Sequence, residues 1–424
     1  MPEFLDRFDR AAPADRTGSI YRAIGTDPEA LFAELLRHRP ILVASGVAVV
    51  TKHADCLDVL RRHHEFSVRA YAAKMKRLTG PFFLGEDDTA LYQRDASALR
   101  LALRREDLPA VQAFVRERAS AALPGRTDTE RGSIEIVSEL TRRVPAEVMG
   151  FYLGVPGPTL RVLQDWAREL FRDIFTNLGD DPEIIEKANC HAAAMVSYVD
   201  ELVANRRREG PGSATVLDRL LTLRSGEEAC LDDLTIRHNL IGLVTGAVDT
   251  TSKAVVNIVA ELLGRPSALA SARAALQRED AESFESHCFE ALRLRPQAPM
   301  LVRTCERDSR VAGGTGREST IAAGSTVFVG TWAAMRDPDV MHAPDEFSVD
   351  RPADLSLHFG SGLHACFGRH LIRLMIPELV RAVVSLPDVR AVPGESRTDG
   401  PFPDAFEVAF GPAAAPSAEP SPSE

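Results

Sequence analysis

Helical spacing dominates the pattern of apolar positions along the chain. Apolar residues recur every three or four positions through Pro28–His38, Ala54–His63, Leu91–Arg105, Leu108–Leu123, Ile134–Leu153 and Pro158–Leu178. The same spacing continues through Pro182–Arg208, Ala214–Arg224, Asp232–Leu263, Pro266–Arg278 and Phe284–Leu294. A face that repeats every 3.6 residues predicts amphipathic helices. The longest, Asp232–Leu263, has Asp232 or Asp233 as a cap and ends at Gly264 followed by Pro266. Strand signals are few. Ile41–Ala44 and Val47–Thr51 flank Ser45-Gly46 and predict a hairpin, and a second β region covers Met300–Val311 and Ser319–Val329. From Arg336 to Gly362 there is no periodicity, only a stretch rich in Asp, Pro and His; structureless segments this long are uncommon unless they serve a function. The expectation is a mostly α protein with small β-sheets, one domain over residues 1–411, and a disordered Pro/Ala/Ser-rich tail over 412–424.

Composition changes this picture little. With 424 residues, 45% hydrophobic and 26% charged, the chain can enclose a cofactor in a dry pocket. A formal charge of −11 argues against nucleic acid or an anionic membrane as a general partner. The N-terminal MPEFLDRFDRAAPADR does not read as a signal peptide, and runs such as ILVASGVAVV are well short of the roughly 20 residues needed to span a bilayer. A cytoplasmic, membrane-free monomer is expected.

The six cysteines, at 56, 190, 230, 288, 305 and 366, contain no Cys-x-x-Cys pair, so neither a zinc site nor a disulfide framework is indicated. Only Cys366 has a distinctive setting, Phe359-Gly-Ser-Gly-Leu-His-Ala-Cys366-Phe-Gly368, followed by RHLIRLM. Glycines let backbone approach a flat ligand closely, and loop amides together with a following helix N-terminus stabilise a thiolate. Such a loop suits a thiolate metal ligand beneath a planar cofactor, of which haem is one case. A Gly-rich turn around a buried apolar cysteine is the alternative.

Two further patterns lie upstream. Within the longest helix, Thr245-Gly-Ala-Val-Asp249-Thr250-Thr251 gathers poor interior helix residues, each costing up to about 1 kcal/mol against Ala. A threonine there can bond back to a carbonyl one turn earlier and leave room for a small ligand and a water. Phe289-Glu290-Ala-Leu-Arg293 sets an acid and a base three apart on one helical face, a spacing that is also common in solvated pairs.

Taken together and in this order, the motifs resemble those of the cytochrome P-450 superfamily. Phe359, Gly362, Cys366 and Gly368 fit its Phe-x-x-Gly-x-x-x-Cys-x-Gly signature. The Gly246–Thr250 segment fits its Ala/Gly-Gly-x-Asp/Glu-Thr pattern, except that Ala247 stands where the family usually has Gly. Glu290 and Arg293 fit its Glu-x-x-Arg pair, with Arg351 as third member from Pro344–Arg351.

The resemblance implies haem b (iron protoporphyrin IX) held between the long helix and the helix after the cysteine loop. Cys366 would be the iron ligand, with Phe359 and Gly360 in the cofactor bed. Arg303, His364 and Arg100 would pair the haem carboxylates. Many relatives carry a His where this chain has Ala96, so Tyr92 or Arg94 is expected to take part of that role. Thr250 is implied as the alcohol that positions a water and Asp249 as the carboxylate that feeds protons, with Thr251 packing beside them. Glu290, Arg293 and Arg351 would hold the core that carries the loop.

The implied activity is that of a haem-thiolate monooxygenase. It would use O2 and electrons from a ferredoxin or flavodoxin with its reductase to hydroxylate or epoxidise a small apolar organic substrate, of secondary-metabolite type. A peroxide-driven peroxygenase and a non-oxidising haem-thiolate binding protein are the alternatives. Arg104, Arg105, Arg369 and Arg373 are expected to form a basic patch for the electron donor. Pocket walls are expected from the Ala70–Leu84 loop, Phe171–Leu178, His191–Val199, Gly242–Ala247, Gln297–Leu301 and Pro401–Phe406. Lys74, Lys76 and Arg77 hint at an anionic substrate group, or belong to a solvated loop. Pro377 is expected to kink or interrupt the helix after the cysteine.

Overall fold

A computed structural model describes residues 3–123, 132–210, 212–225 and 228–411. The expected tail over 412–424 lies outside the described residues. The architecture is mostly helical with small sheets, as the periodicity indicates. Its centre is a helix over Asp233–Leu263, buried on nearly every side. The Asp232 carboxylate caps it by accepting from the Thr235 amide at 2.7 Å. Against it pack helices Leu160–Phe171, Pro182–Glu209, Ala281–Leu294 and Arg369–Val384.

The hairpin Ile41–Ala44 and Val47–Val50 forms in antiparallel register, Ile41 opposite Val50. It extends into a five-stranded sheet: Val47–Val50 runs parallel to Thr326–Val329, which pairs antiparallel with Leu301–Cys305, and Phe66–Ser67 closes the edge. Every residue of Val47–Val50 is buried, which explains its unbroken apolar run. A separate sheet joins Arg390–Asp399, Phe402–Phe410 and Gly132–Glu135.

Several elements differ from expectation. Ile134–Leu153 is not one helix. Its start belongs to the strand Gly132–Glu135, where Glu135 turns the chain by accepting from the amides of Val137 and Ser138 at 2.9 and 2.8 Å. Helix then runs Arg143–Val148 between two wide i→i+5 turns, and Pro145 brings no N–H to a regular ladder. Pro158–Leu178 shortens to Leu160–Phe171, capped by Thr159, and finishes in a wide turn over Arg172–Thr176. The Ala70–Leu84 loop contains a helix, Arg69–Leu78, that buries Met75 and Leu78. Two N-terminal helices, Glu3–Arg10 and Pro13–Thr26, were not expected. Helix Arg369–Val384 continues through Pro377 without interruption; flanking buried residues Met375, Ile376, Leu379 and Val380 fix it to the core, outweighing the lost hydrogen bond. Arg336–Gly362 is irregular as expected, apart from one short turn at Ala353–Leu355.

Candidate functional site

A cavity of about 1100 Å3 lies between the central helix and the cysteine loop. Its walls include Phe359, Gly360, His364, Cys366, Arg303 and Arg100, and from the central helix Gly246, Ala247, Thr250 and Thr251. Most of the remaining lining is apolar, with Met75, Phe82, Leu84, Ile174, Phe175 and Leu243 among it.

Backbone geometry builds the cysteine loop. The Cys366 amide donates to the Phe359 carbonyl at 2.7 Å, closing the loop on itself. Gly362 sits at φ 75°, and a Cβ there would stand 2.6 Å from the Leu60 carbonyl oxygen, so a side chain would both strain the turn and clash with backbone. Burial pushes the Cys366 thiol up, while the Gly368 amide and the Arg369 guanidinium pull it down.

Arg303 and His364 carry buried polar atoms with no partner, as do Thr245, Gln297 and His358 elsewhere in the lining. Arg303 is 3% exposed, makes no ion pair among the described residues, and leaves its Nε unpaired. Its one hydrogen bond goes to the Val302 carbonyl at 2.9 Å, and burial pulls its pKa down. His364 meets Asp87 through Nε2 at 3.0 Å, but its Nδ1 is buried and unpaired. A buried cation without a counter-charge is unfavourable. A planar, anionic cofactor with carboxylates at one edge fits the Arg303 and His364 groups, and Cys366 would offer a soft ligand to its metal. Arg100 is exposed, reaches the cavity and stacks over Phe367 at 5.8 Å. Tyr92 lines the same wall and donates to the Leu363 carbonyl at 2.9 Å. Arg94 does not take part: it pairs with Asp95 at 2.8 Å and is absent from the lining.

On the central helix both threonines bond back, Thr250 to the Gly246 carbonyl at 2.5 Å and Thr251 to that of Ala247 at 2.6 Å. A Cβ on Gly246 would meet nothing within 4 Å. Thr251, expected to pack, is buried and also borders the cavity.

Asp249, implied as the carboxylate that feeds protons, does not line the cavity. Successive helix positions diverge by about 100°, and its carboxylate lies among Arg168, at 3.0 Å, and Arg142, at 3.1 Å, away from the lining. Burial raises its pKa and the two arginines oppose the rise. Arg168 continues to Asp399 and Asp404 at 3.6 and 3.5 Å, both about half exposed. Sequence reasoning missed Arg168 and Arg142. The signal was present for Arg168, a charge on the face that buries Leu163, Trp166, Ala167 and Leu170.

Below the loop, Glu290 is gripped by Arg293 at 2.7 Å and Arg351 at 3.0 Å and accepts the Ser348 amide at 2.9 Å. Arg293 and Arg351 spend further N–H groups on the carbonyls of Met335, Glu346 and His342, which ties the irregular stretch to helix Ala281–Leu294.

Other expectations need correction. Neither His191–Val199 nor Pro401–Phe406 lines the cavity: Met195 and Val199 are buried in the core, and Phe402 packs edge-on against Phe171 at 5.6 Å. Lys74 is bound to the Asp173 and Asn177 carbonyls at 3.1 and 2.6 Å and Arg77 pairs with Asp173, so both brace helix Arg69–Leu78 instead of facing the cavity. Lys76 is exposed. Of the four arginines expected to form a basic patch, Arg373 is paired with Glu285 and Arg105 meets His370 at 3.1 Å. Arg104 and Arg369 make no ion pair among the described residues.

The family profile described as Cytochrome P450 matches residues 169–399. Cytochrome P450-SU2 of Streptomyces griseolus is 30% identical over 407 residues, covering 91% of this chain and 94% of its own length. Cyclomarin C epoxidase CymV of Salinispora arenicola is 29% identical over 245 residues; this alignment covers 58% of each protein. Among solved structures, the open cytochrome P450 Eryk from S. erythraea superposes with a TM-score of 0.77 at 23% identity, covering 93% of this chain and 99% of that one. No helix among the described residues is long and apolar enough to cross a membrane.

Proposed function

The chain belongs to the cytochrome P450 family, and from that premise we propose that it is a haem-thiolate monooxygenase acting on a small, mainly apolar organic molecule. The observation that carries this reading is a single cavity with Cys366 on one wall and the Gly246–Thr251 turn on another, beside a buried arginine without a counter-charge. Haem b, bound through the Cys366 thiolate, supplies the iron that activates O2. Arg303, His364 and Arg100 hold its carboxylates. Glu290, Arg293 and Arg351 keep the cysteine loop in register with the helix behind it.

Thr250 holds a water at the cavity wall, its hydroxyl oriented by the Gly246 carbonyl. Asp249 acts from the far side of the helix. Arg168 ties it to the half-exposed Asp399 and Asp404 and, as a permanent cation, orients these carboxylates without passing a proton itself; rotation of the Asp249 side chain out of this ion pair brings protons from the solvent side toward Thr250, and Asp249 does not touch the reacting atoms. The apolar lining excludes bulk water and selects an apolar substrate. Hydroxylation or epoxidation of a secondary metabolite is supported by the cyclomarin epoxidase relative. Electrons come from a ferredoxin or flavodoxin that docks near Arg104, Arg105 and Arg369. Turnover of an apolar substrate panel with a ferredoxin and its reductase tests this reading; oxygenated product with peroxide alone, and none with the electron donor, contradicts it.

A further inference from the structure

His63, His64 and Asp88 stand apart from the cavity and take no part in the scheme above. The two histidines follow the helix His53–Arg61, and Asp88 precedes the helix Ala90–Ala102. The chain thus brings together two connections far apart in sequence. One ligand atom from each of the three residues lies within 4.8 Å of the others. The two imidazole rings lie close together, their centroids 3.9 Å apart and their planes tilted by 50°. The Nε2 of His63 is sealed from solvent and has no hydrogen-bond partner, so this ring nitrogen is not committed to another residue. Asp88 accepts from the Gln93 amide through Oδ1, and a carboxylate retains lone pairs beyond that bond. The neighbouring cation Arg62 is neutralised by Asp58 and Glu65, so it does not repel a dication there.

We propose that His63, His64 and Asp88 bind one first-row transition-metal dication of the zinc type. Two imidazoles and one carboxylate suit zinc, nickel or copper and leave a coordination position for water. With metal–ligand bonds of about 2.1 Å, rotation of the exposed His64 and Asp88 side chains brings the set onto one ion. The ion fastens the end of helix His53–Arg61 to the segment before Ala90. It also sits one residue from Asp87, the carboxylate that holds His364 at 3.0 Å, and therefore steadies the wall that carries His364. None of this depends on the reaction proposed above.

The test uses tag-free holoenzyme washed with chelator and titrated with zinc alone by calorimetry, with the thermal midpoint read in parallel. The expected result is saturable uptake of one equivalent and a midpoint raised by zinc. His64→Ala and Asp88→Asn, at exposed positions that the fold tolerates, each lower the affinity at least tenfold and abolish the midpoint shift. His38→Ala, an exposed histidine elsewhere, changes neither. Absence of saturable uptake, or wild-type affinity in either His64→Ala or Asp88→Asn, overturns the site.

Discussion

Arg168 holds Asp249 by two bonds to the same carboxylate oxygen, of 3.1 and 3.0 Å, and the second oxygen, buried, has no partner. One oxygen of this carboxylate is thus fixed by the guanidinium, and the other is buried without a partner.

The pH dependence follows from that arrangement. Burial holds the folded-state pKa of Asp249 above its ordinary 3.8. The folded chain then binds this proton more tightly than the unfolded chain does. Its contribution to stability is complete below the unfolded pKa and is lost as pH rises through the folded one. Asp249→Asn removes that slope, and Arg168→Ala extends it to higher pH. Arg168→Ala also costs about 3 kcal/mol by leaving a buried charge under-compensated. Urea midpoints measured at closely spaced pH values on the three proteins check both points; parallel curves contradict the assignment.

Thr250→Ala removes the hydroxyl that the Gly246 carbonyl orients. Electron-donor consumption should continue while product per electron pair falls severalfold and hydrogen peroxide accumulates. Thr251→Ala, which alters the neighbouring lining, should change coupling less. Quantifying product, peroxide and donor consumed in the same reaction decides it; equal coupling in wild type and Thr250→Ala removes the proton-handing role.

Arg303→Leu should have opposite effects on the two forms of the protein. In the apoprotein it replaces a buried unpaired cation with an apolar side chain, which is neutral to stabilising. In the holoprotein it removes a partner of the cofactor carboxylate and speeds haem loss. Denaturation of the apoprotein and transfer of haem to apomyoglobin measure the two separately. A variant with less stable apoprotein and unchanged haem retention would show that Arg303 serves the fold alone.

Glu290→Gln weakens a network of two arginines and one amide around a residue only 5% exposed. Leaving Arg293 and Arg351 without their shared counter-charge should cost about 3–5 kcal/mol, and the irregular stretch before the cysteine loop should loosen first. Hydrogen exchange over residues 343–362 follows this directly; uniform destabilisation along the chain speaks against a role in holding that stretch.

How legible all this was in the sequence depended on whether the signal was local. The Asp233–Leu263 helix could be read because cap, period and stop lie in one segment, and the loop at Cys366 because its glycines adjoin it. The helix Arg69–Leu78 could not, since Met75 and Leu78 are buried by distant elements and its polar face is tied down by Asp173 and Asn177. The strand Arg390–Asp399 is largely exposed and gains its order from pairing with Phe402–Phe410, a non-local cause. Thr250 was identified by motif, but the orientation of Asp249 required knowing where Arg168 lies. The apolar lining was right for residues 242–247 and wrong for 401–406, because Phe402 turns toward Phe171 and not toward the cavity.

The most direct test of the central claim is the absorption spectrum of the reduced, haem-loaded protein under carbon monoxide, for wild type and Cys366→His. Thiolate ligation by Cys366 predicts the long-wavelength Soret band characteristic of a sulfur ligand in the wild type, replaced in the variant by the shorter-wavelength band of an imidazole ligand. The shorter-wavelength band in intact wild-type protein, or identical spectra from the two proteins, would contradict it.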